Sequence, residues 1–315
     1  MSFQKPCITG LDNLPPSVCG CVLTIGNFDG VHLGHQSILA RAKVLAAQSN
    51  APLVVMTFEP HPDLVLRPKD APKRLTHLDT RCCLLHDAGA DIIVVAQATC
   101  ELLSLEARAF IDRILVRSFS PSHIVEGKNF RFGKGRAGNI QTLRDAAGVL
   151  GFGVHDVDPL MMDIEGHGTV RVSSTLIRNL VAAGDVKSAH RCLGRPYALV
   201  GPVVAGAGRG RILEFPTANL SPGEQVLPAD GVYAAKAQIN GQSFMSAVSI
   251  GTKPTFGPSD RTIEAFLIDA SGDFYNQEMT LHFMDRLREQ RKFANAEELK
   301  HQIAQDVQRV REHND

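Results

Sequence analysis

Thr24-Ile25-Gly26-Asn27-Phe28-Asp29-Gly30-Val31-His32-Leu33-Gly34-His35-Gln36 decides how the first half of the chain is read. An apolar run, Val22–Ile25, enters a loop of Gly, Asn and Asp and leaves it straight into an amphipathic segment. Strand, glycine loop and helix start, in that order, form the layout that receives phosphates. The first N–H groups of a helix have no intrahelical partner and point outward. His32 and His35 add hydrogen-bond donors or cations at that spot. Two other readings fit the histidines taken alone: half of a metal site, or a cap and a packed ring without chemistry.

The segments around this stretch alternate between strand and helix patterns. Apolar runs at 53–58, 91–96 and 122–125 read as further strands. Helical spacing is found at 37–49, with Ile38, Leu39, Ala42 and Leu45 on one face, and at 79–88, which Gly89 ends. Ser104 reads as the cap of a helix that buries Phe110, Ile111 and Ile114, and 140–150 is a helix ended by Gly151. Apolar strands separated by helices predict a doubly wound α/β domain, with its ligand crevice at the carboxyl ends of the strands.

The pattern changes near residue 198. Strand-like stretches at 198–204, 232–239, 244–250, 262–268 and 279–283 follow one another with Gly and Pro turns, and no helix intervenes until 296–310. Short strands at that spacing predict a closed antiparallel barrel with one terminal helix outside it. The break at Gly194-Arg195-Pro196 suggests domains of 1–188 and 189–315. A length of 315 residues suits two domains.

Lys plus Arg and Asp plus Glu both number 33, a balance that argues against nucleic acid or an anionic membrane as the main partner. Residues 1–20 are polar with three prolines, so neither a signal peptide nor a membrane span is expected. Seven cysteines without a C-x-x-C pair predict free thiols in a reducing cytoplasm rather than a disulfide framework or zinc ribbon.

Three more segments bear on phosphate chemistry. Thr57-Phe58-Glu59-Pro60-His61-Pro62 leaves the second strand as a proline-stiffened loop, either part of a substrate site or an ordinary connection. In Glu126-Gly127-Lys128-Asn129-Phe130-Arg131-Phe132-Gly133, the phenylalanines either hold a flat ring or belong to the core. Val172-Ser173-Ser174-Thr175-Leu176-Ile177-Arg178 opens a helix. Its hydroxyls cap the first turn, and Arg178 lies one turn in on the same side, a second anion site.

The H-x-G-H stretch resembles the signature of the nucleotidyltransferase superfamily. With the G-x-N-F-x-F-G and S-S-T-x-I-R segments in this order, the first half resembles the adenylyltransferase part of bacterial bifunctional riboflavin kinase/FMN adenylyltransferases, the FAD synthetases. The resemblance implies a Rossmann-like α/β domain that moves AMP from ATP onto FMN, releasing pyrophosphate. His32, His35 and Arg178 would contact the ATP phosphates and Asn129 would help position the reactants. Gly26, Asn27, Phe28, Gly30, Ser173, Ser174 and Thr175 would line the nucleotide site, and Phe130 and Phe132 the flavin site. Many members carry Asp at the position of Asn129. No covalent intermediate is needed, so catalysis is positioning plus stabilisation of phosphoryl charge, with Mg2+ held mostly by phosphate oxygens and water.

The second half has its own motifs. Gly201-Pro202-Val203-Val204-Ala205-Gly206-Ala207-Gly208-Arg209-Gly210-Arg211 is not a dinucleotide fingerprint, because no helix follows. A loop whose Gly206, Gly208 and Gly210 cradle phosphate by backbone N–H groups, or a flexible turn, fits instead. Phe215-Pro216-Thr217-Ala218-Asn219 puts two oxygen donors on one face if extended. Glu264 interrupts an apolar strand, where a carboxylate needs a task or a partner. Leu287-Arg288-Glu289-Gln290-Arg291-Lys292-Phe293 precedes the last helix. These segments resemble the riboflavin kinase domain of the same family, as do Gly231-Val232-Tyr233 and Gly251-Thr252-Lys253-Pro254-Thr255. The resemblance implies that Thr217 and Asn219 hold Mg-ATP, that Glu264 is the general base acting on the riboflavin hydroxyl, and that Arg288 lies near the flavin. The chain departs from the family at Glu214, where glycine is usual, and at Asn276.

The expected protein is a cytoplasmic transferase that makes FMN from riboflavin and FAD from FMN, with ATP and Mg2+. It has no nucleic-acid or membrane partner, and self-association is left open. Two alternatives stand beside it: a nucleotidyltransferase with another acceptor, and a flavin- or nucleotide-binding protein that has lost one or both activities.

Overall fold

Val22, Leu23, Thr24 and Ile25 are all buried. Successive side chains of a strand point to opposite faces, so both faces of this strand are covered, as in a parallel sheet flanked by helices. The computed structural model describes residues 7–205, 217–252 and 261–313. The strands β1 (Cys7–Thr9), β2 (Val22–Ile25), β3 (Leu53–Glu59), β4 (Ile92–Gln97), β5 (His123–Gly127) and β6 (Gly153–Val157) form one sheet in the order β1-β4-β3-β2-β5-β6. Every pairing in it is parallel. Leu23, Ile25, Val54 and Met56 share one core with Phe110, Leu115 and Leu143, while Val22, Leu53 and Val55 share another with Leu39, Leu45 and Leu85. The strand order reverses at β2, whose neighbours are β3 and β5. A crevice opens at the carboxyl ends of strands at such a switch point.

Helices α1 (Leu33–Ser49), α2 (Pro62–Leu66), α3 (Leu78–Asp87), α4 (Cys100–Leu103), α5 (Ala107–Phe110) and α6 (Ile140–Leu150) connect the strands. α1 begins four residues earlier than its apolar spacing suggests, because His32 caps it. α6 opens on an Asn139–Thr142 capping box and ends at Gly151 in the left-handed region. The expectation that Ser104 caps a helix is corrected. Thr99 caps α4 by accepting the Leu102 N–H, and the Ser104 hydroxyl donates back to the Glu101 carbonyl, closing that turn. The helix burying Phe110 and Ile111 starts at Ala107 and continues as a π-helix over Ile111–Phe119. The sequence reading also missed β1, β6 and a hairpin of β7 (Met161–Ile164) and β8 (Gly168–Arg171). All are short, and none carries a fully apolar run.

The chain divides into two compact units: Met1–Pro72 with His77–Ser173, and Lys73–Thr76 with Ser174–Asp315. α7 (Ser174–Ala183) and α8 (Val186–Leu193) belong to the second. Strands β9 (Tyr197–Val204), β10 (Thr217–Leu220), β11 (Gly231–Ile239), β12 (Gln242–Thr252), β13 (Arg261–Leu267) and β14 (Glu278–Arg288) close into an antiparallel barrel in the order β10-β13-β12-β11-β14-β9. Tyr233 and Phe283 meet edge to face inside it at 5.5 Å. α9 (Ala296–Glu312) packs Val307 and Val310 on the outer face, against Val232, Ala234, Ala247 and Leu287. The strap Lys73–Thr76 is tied in by Gln225, which is 1% exposed. Its amide nitrogen donates to the carbonyls of Leu75 and Ala198, and its oxygen accepts the Val200 N–H.

Candidate functional site

At the carboxyl end of β2 the backbone is forced into an unusual path. Phe28 (φ 48°), Gly30 (φ 82°) and Val31 (φ 37°) all occupy the left-handed region. For a β-branched residue such as Val31 this costs on the order of 1–3 kcal/mol, and strain of that kind is retained where geometry matters. The loop delivers His32 to the N-cap of α1, where its Nδ1 accepts the His35 N–H at 3.2 Å. That bond leaves Nε2 as the protonated nitrogen of a neutral His32 ring. The His35 ring stacks on His32 with centroids 3.6 Å apart, and Phe28 meets His35 edge-on at 5.1 Å. Gly34 makes the stack feasible, since a Cβ there would lie 3.2 Å from the His32 ring. The cap-and-packed-ring reading is therefore correct as geometry. It is also compatible with an anion site, because the first turn of α1 carries no acidic residue.

The loop is braced from the neighbouring strand. The Thr57 hydroxyl and the guanidinium of Arg81, which is 3% exposed, both donate to the Asn27 carbonyl. Arg81 also donates to the Phe58 carbonyl at 3.0 Å and pairs with Glu59 at 3.0 Å. The Asn27 amide meets His61 Nε2 at 2.9 Å. The Thr57–Pro62 loop thus buttresses the loop between β2 and α1. Arg81 was not singled out from the sequence, since an arginine on an amphipathic helix reads as a surface charge.

Beneath the loop lies Glu126, at the end of β5 and 3% exposed. It accepts the Ile25 N–H at 2.5 Å and the Thr24 hydroxyl at 3.3 Å. Burial pushes its carboxyl well above the ordinary carboxylate range, against the pull of those two donors. The sequence reading quoted Glu126 within its motif but gave it no role.

A cleft of about 390 Å³ opens here, lined by Gly26, Phe28, His32, His35, Glu126, Asn129 and Phe130 and closed by Asp158–Leu160 and Arg171–Ser173. The exposed cations Lys128, Arg136 and Arg171 line it, Lys128 pairing with Asp158 at 2.6 Å. Asn129 is exposed at its rim. Phe130 reaches the cleft but Phe132 does not. Phe132 is 6% exposed, packs on Phe110 at 5.6 Å and covers Gly138, so the core alternative holds for it. The lining ends at Ser173. Ser174, Thr175 and Arg178 lie on α7 in the second unit, where Arg178 Nε donates to the Lys73 carbonyl at 2.8 Å.

On the barrel, strand register brings the candidate residues together. Asn219 of β10 lies opposite Glu264 of β13, and Glu264 lies opposite Ser249 of β12. Opposed residues share a face with Cβ atoms about 5 Å apart. Thr217 is two residues from Asn219 on extended β10 and so shares that face. Ile263, Ala265 and Leu267 fill the interior, so Glu264 points outward, half-buried, on the side that α9 partly covers. Gln290 donates to the Ser249 hydroxyl at 2.8 Å. Arg288 continues the same register row through Val232, three strand spacings or roughly 14 Å along the sheet from Glu264. Its guanidinium is held by Asp306 of α9, at 2.7 Å from Nη2. Gly206, Gly208, Gly210 and Glu214 lie outside the described residues. Among the described residues no group of three or more His, Cys, Asp or Glu is placed to hold a metal ion.

A family model described as FAD synthetase matches residues 14–176, and one described as riboflavin kinase matches residues 193–314. The chain is 39% identical over 305 residues to a bifunctional riboflavin kinase/FMN adenylyltransferase of Pseudomonas fluorescens, covering 96% of each chain. It is 36% identical over 307 residues to that of Escherichia coli K12, covering 97% of this chain and 96% of that one. With that of Bacillus subtilis it shares 34% over 296 residues, 91% of this chain and 90% of that one. A crystal structure described as a macrolide-efflux protein from Streptococcus pneumoniae matches with TM-score 0.86 at 28% identity, over 97% of this chain and 98% of that one. Among the described residues no helix is long and apolar enough to cross a membrane.

Proposed function

We infer what each residue does from one premise: the chain belongs to the family of bifunctional riboflavin kinase/FMN adenylyltransferases. Its C-terminal half converts riboflavin to FMN, and its N-terminal half converts FMN to FAD. We assign the activities to 1–188 and 189–315.

In AMP transfer, an FMN phosphate oxygen attacks the α-phosphorus of ATP and pyrophosphate leaves. Negative charge builds on the bridging and non-bridging oxygens. His32 Nε2–H, the His35 ring, the open N–H groups of α1 and Arg178 supply the donors that charge requires. Gly26, Asn27, Phe28, Gly30, Ser173, Ser174 and Thr175 shape the nucleotide site, Asn129 positions the reactants, and Phe130 offers a flat face to the flavin. The single observation that carries this reading is the His32–His35 stack at the mouth of the α1 N-terminus, inside the cleft.

In phosphorylation, the riboflavin 5′-hydroxyl attacks the γ-phosphorus of ATP. Glu264 takes its proton as general base, provided the hydroxyl lies within hydrogen-bond reach. Its outward aspect beside Asn219 supports that role. The hydroxyl of Thr217 and amide oxygen of Asn219 are hard donors of the kind Mg2+ accepts. They would hold the ion as part of Mg-ATP, where it screens phosphate charge. Gly206, Gly208 and Gly210 cradle the phosphates in this reading, and Arg288 borders the flavin. Equal acidic and basic counts support small-molecule partners over nucleic acid, and seven free cysteines support a cytoplasmic location.

The test is one incubation of the purified protein with riboflavin, ATP and Mg2+, with products separated by chromatography. FMN and FAD both appear. FAD from added FMN without any product from riboflavin would remove the Glu264 assignment, and FMN without FAD would remove the histidine assignment.

A further inference from the structure

Cys7, solvent-exposed on the sheet-edge strand β1, places its Sγ 3.3 Å from the Sγ of buried Cys82 on α3. The two lie 75 residues apart in sequence, so the fold itself brings them together. A disulfide has an S–S length of about 2.05 Å, so the sulfurs need approach by only roughly 1.3 Å.

The two thiols are unequal. Cys7 is the one that solvent-borne reagents reach. Burial and the adjoining Cys7 sulfur push the Cys82 thiol up to about 12, so it keeps its proton and waits in reserve. An exposed cysteine in contact with a second thiol is the arrangement of a reactive and a resolving pair.

We propose that Cys7 and Cys82 form an oxidation site for peroxides, which closes into an intramolecular disulfide joining β1 to α3. The Cys7 thiolate attacks one oxygen of hydrogen peroxide. The O–O bond breaks, hydroxide leaves, and Cys7 becomes a sulfenic acid. The Cys82 sulfur then attacks the Cys7 sulfur. The S–S bond forms as the S–O bond breaks, and the departing hydroxide takes the Cys82 proton to leave as water. Two electrons pass from the sulfur pair to peroxide, and an added dithiol returns them. The cross-link anchors the helix whose Arg81 braces Asn27 and the Phe58 carbonyl. Oxidation thus acts on the support of the loop between β2 and α1 without touching the cleft.

The experiment treats the reduced full-length protein with hydrogen peroxide and maps peptides without reduction. A Cys7–Cys82 peptide pair lighter by two hydrogens is expected, lost on adding dithiothreitol. The oxidised protein melts a few degrees higher than the reduced one, and Cys82→Ser abolishes that difference. In Cys82→Ser, Cys7 is trapped by dimedone as its sulfenic acid, while Cys83→Ser still forms the link. A dimedone adduct or sulfinic acid at Cys7 of the parent without the linked peptide overturns the proposal. So does a link that runs to Cys83 or to a second chain.

Discussion

Gly34→Ala perturbs the histidine stack without removing any functional group. A Cβ at position 34 lies 3.2 Å from His32 Cε1 and Nδ1 and 3.5 Å from the Val172 carbonyl. Favourable carbon contacts begin near 3.5 Å, so the His32 ring has to retreat by about 0.3 Å. The retreat stretches the bond from His35 N–H to His32 Nδ1, already long at 3.2 Å. Two stability effects then oppose each other. Alanine gains about 1 kcal/mol over glycine inside a helix, and a weakened N-cap loses about 1 kcal/mol. The melting temperature therefore stays near that of the parent. Catalysis has no such offset. A misplacement of ~1 Å can cost ~100-fold, so a retreat of about 0.3 Å costs roughly fourfold in FAD formation. The assay follows FAD from FMN and ATP, with FMN from riboflavin as the internal control in the same protein. Parent-level FAD formation would refute the argument that Gly34 exists to seat the His32 ring. An equal fall in both activities would point to general misfolding instead.

Four further outcomes are expected. His35→Ala loses roughly tenfold to a thousandfold in FAD formation and keeps riboflavin phosphorylation; product chromatography separates the two. Glu264→Gln keeps the shape of the side chain, binds riboflavin, and loses roughly a hundredfold or more in FMN formation, while FMN adenylylation is unchanged. Because the folded state holds the Glu126 carboxyl above its ordinary value of 4.5, raising the pH from there strips the proton from the unfolded chain first and lowers stability. Melts of the parent and Glu126→Gln should therefore diverge as the pH rises above about 4.5, the parent losing ground, and a constant difference would count against a buried proton. A fragment beginning at Ser174 lacks the Lys73–Thr76 strap; it phosphorylates riboflavin, makes no FAD and melts below the full chain by circular dichroism, and one beginning at Ala189 also lacks α7 and the start of α8 and melts lower still.

The parts of the fold legible from sequence are those where one physical effect acts alone. The run Val22-Leu23-Thr24-Ile25 of β2 read as a strand covered on both faces, and alternation along β11 and β13 announced a barrel wall. Gly151 ended α6 because only a left-handed residue fits there. Legibility fails where two residues compete for one role or where a partner is distant. Thr99 and Ser104 are both good caps, and which one opens a helix is decided by the turn that forms between them. Phe130 and Phe132 share a motif, yet only the strand end decides which reaches the cleft. Arg81 finds the Asn27 carbonyl 54 residues away, and Arg288 finds Asp306 on a helix 18 residues on. No periodicity encodes either pairing. Nor did Arg136 and Arg171 stand out, because loops and a four-residue strand bring them to the cleft.

The strap formed by Lys73–Thr76 has a consequence for how this chain is made. Its Leu75 carbonyl is bonded by Gln225, 150 residues later. Synthesis proceeds at about 5–20 residues per second, so roughly ten seconds separate the two partners as they leave the ribosome. During that interval the strap is exposed while the unit encoded around it can already fold. The barrel cannot complete its bonds from its own stretch of message. A gene split anywhere between codons 76 and 174 would yield two polypeptides that must find each other again to restore the Gln225 contact, which gives selection a physical reason to keep both activities in one reading frame.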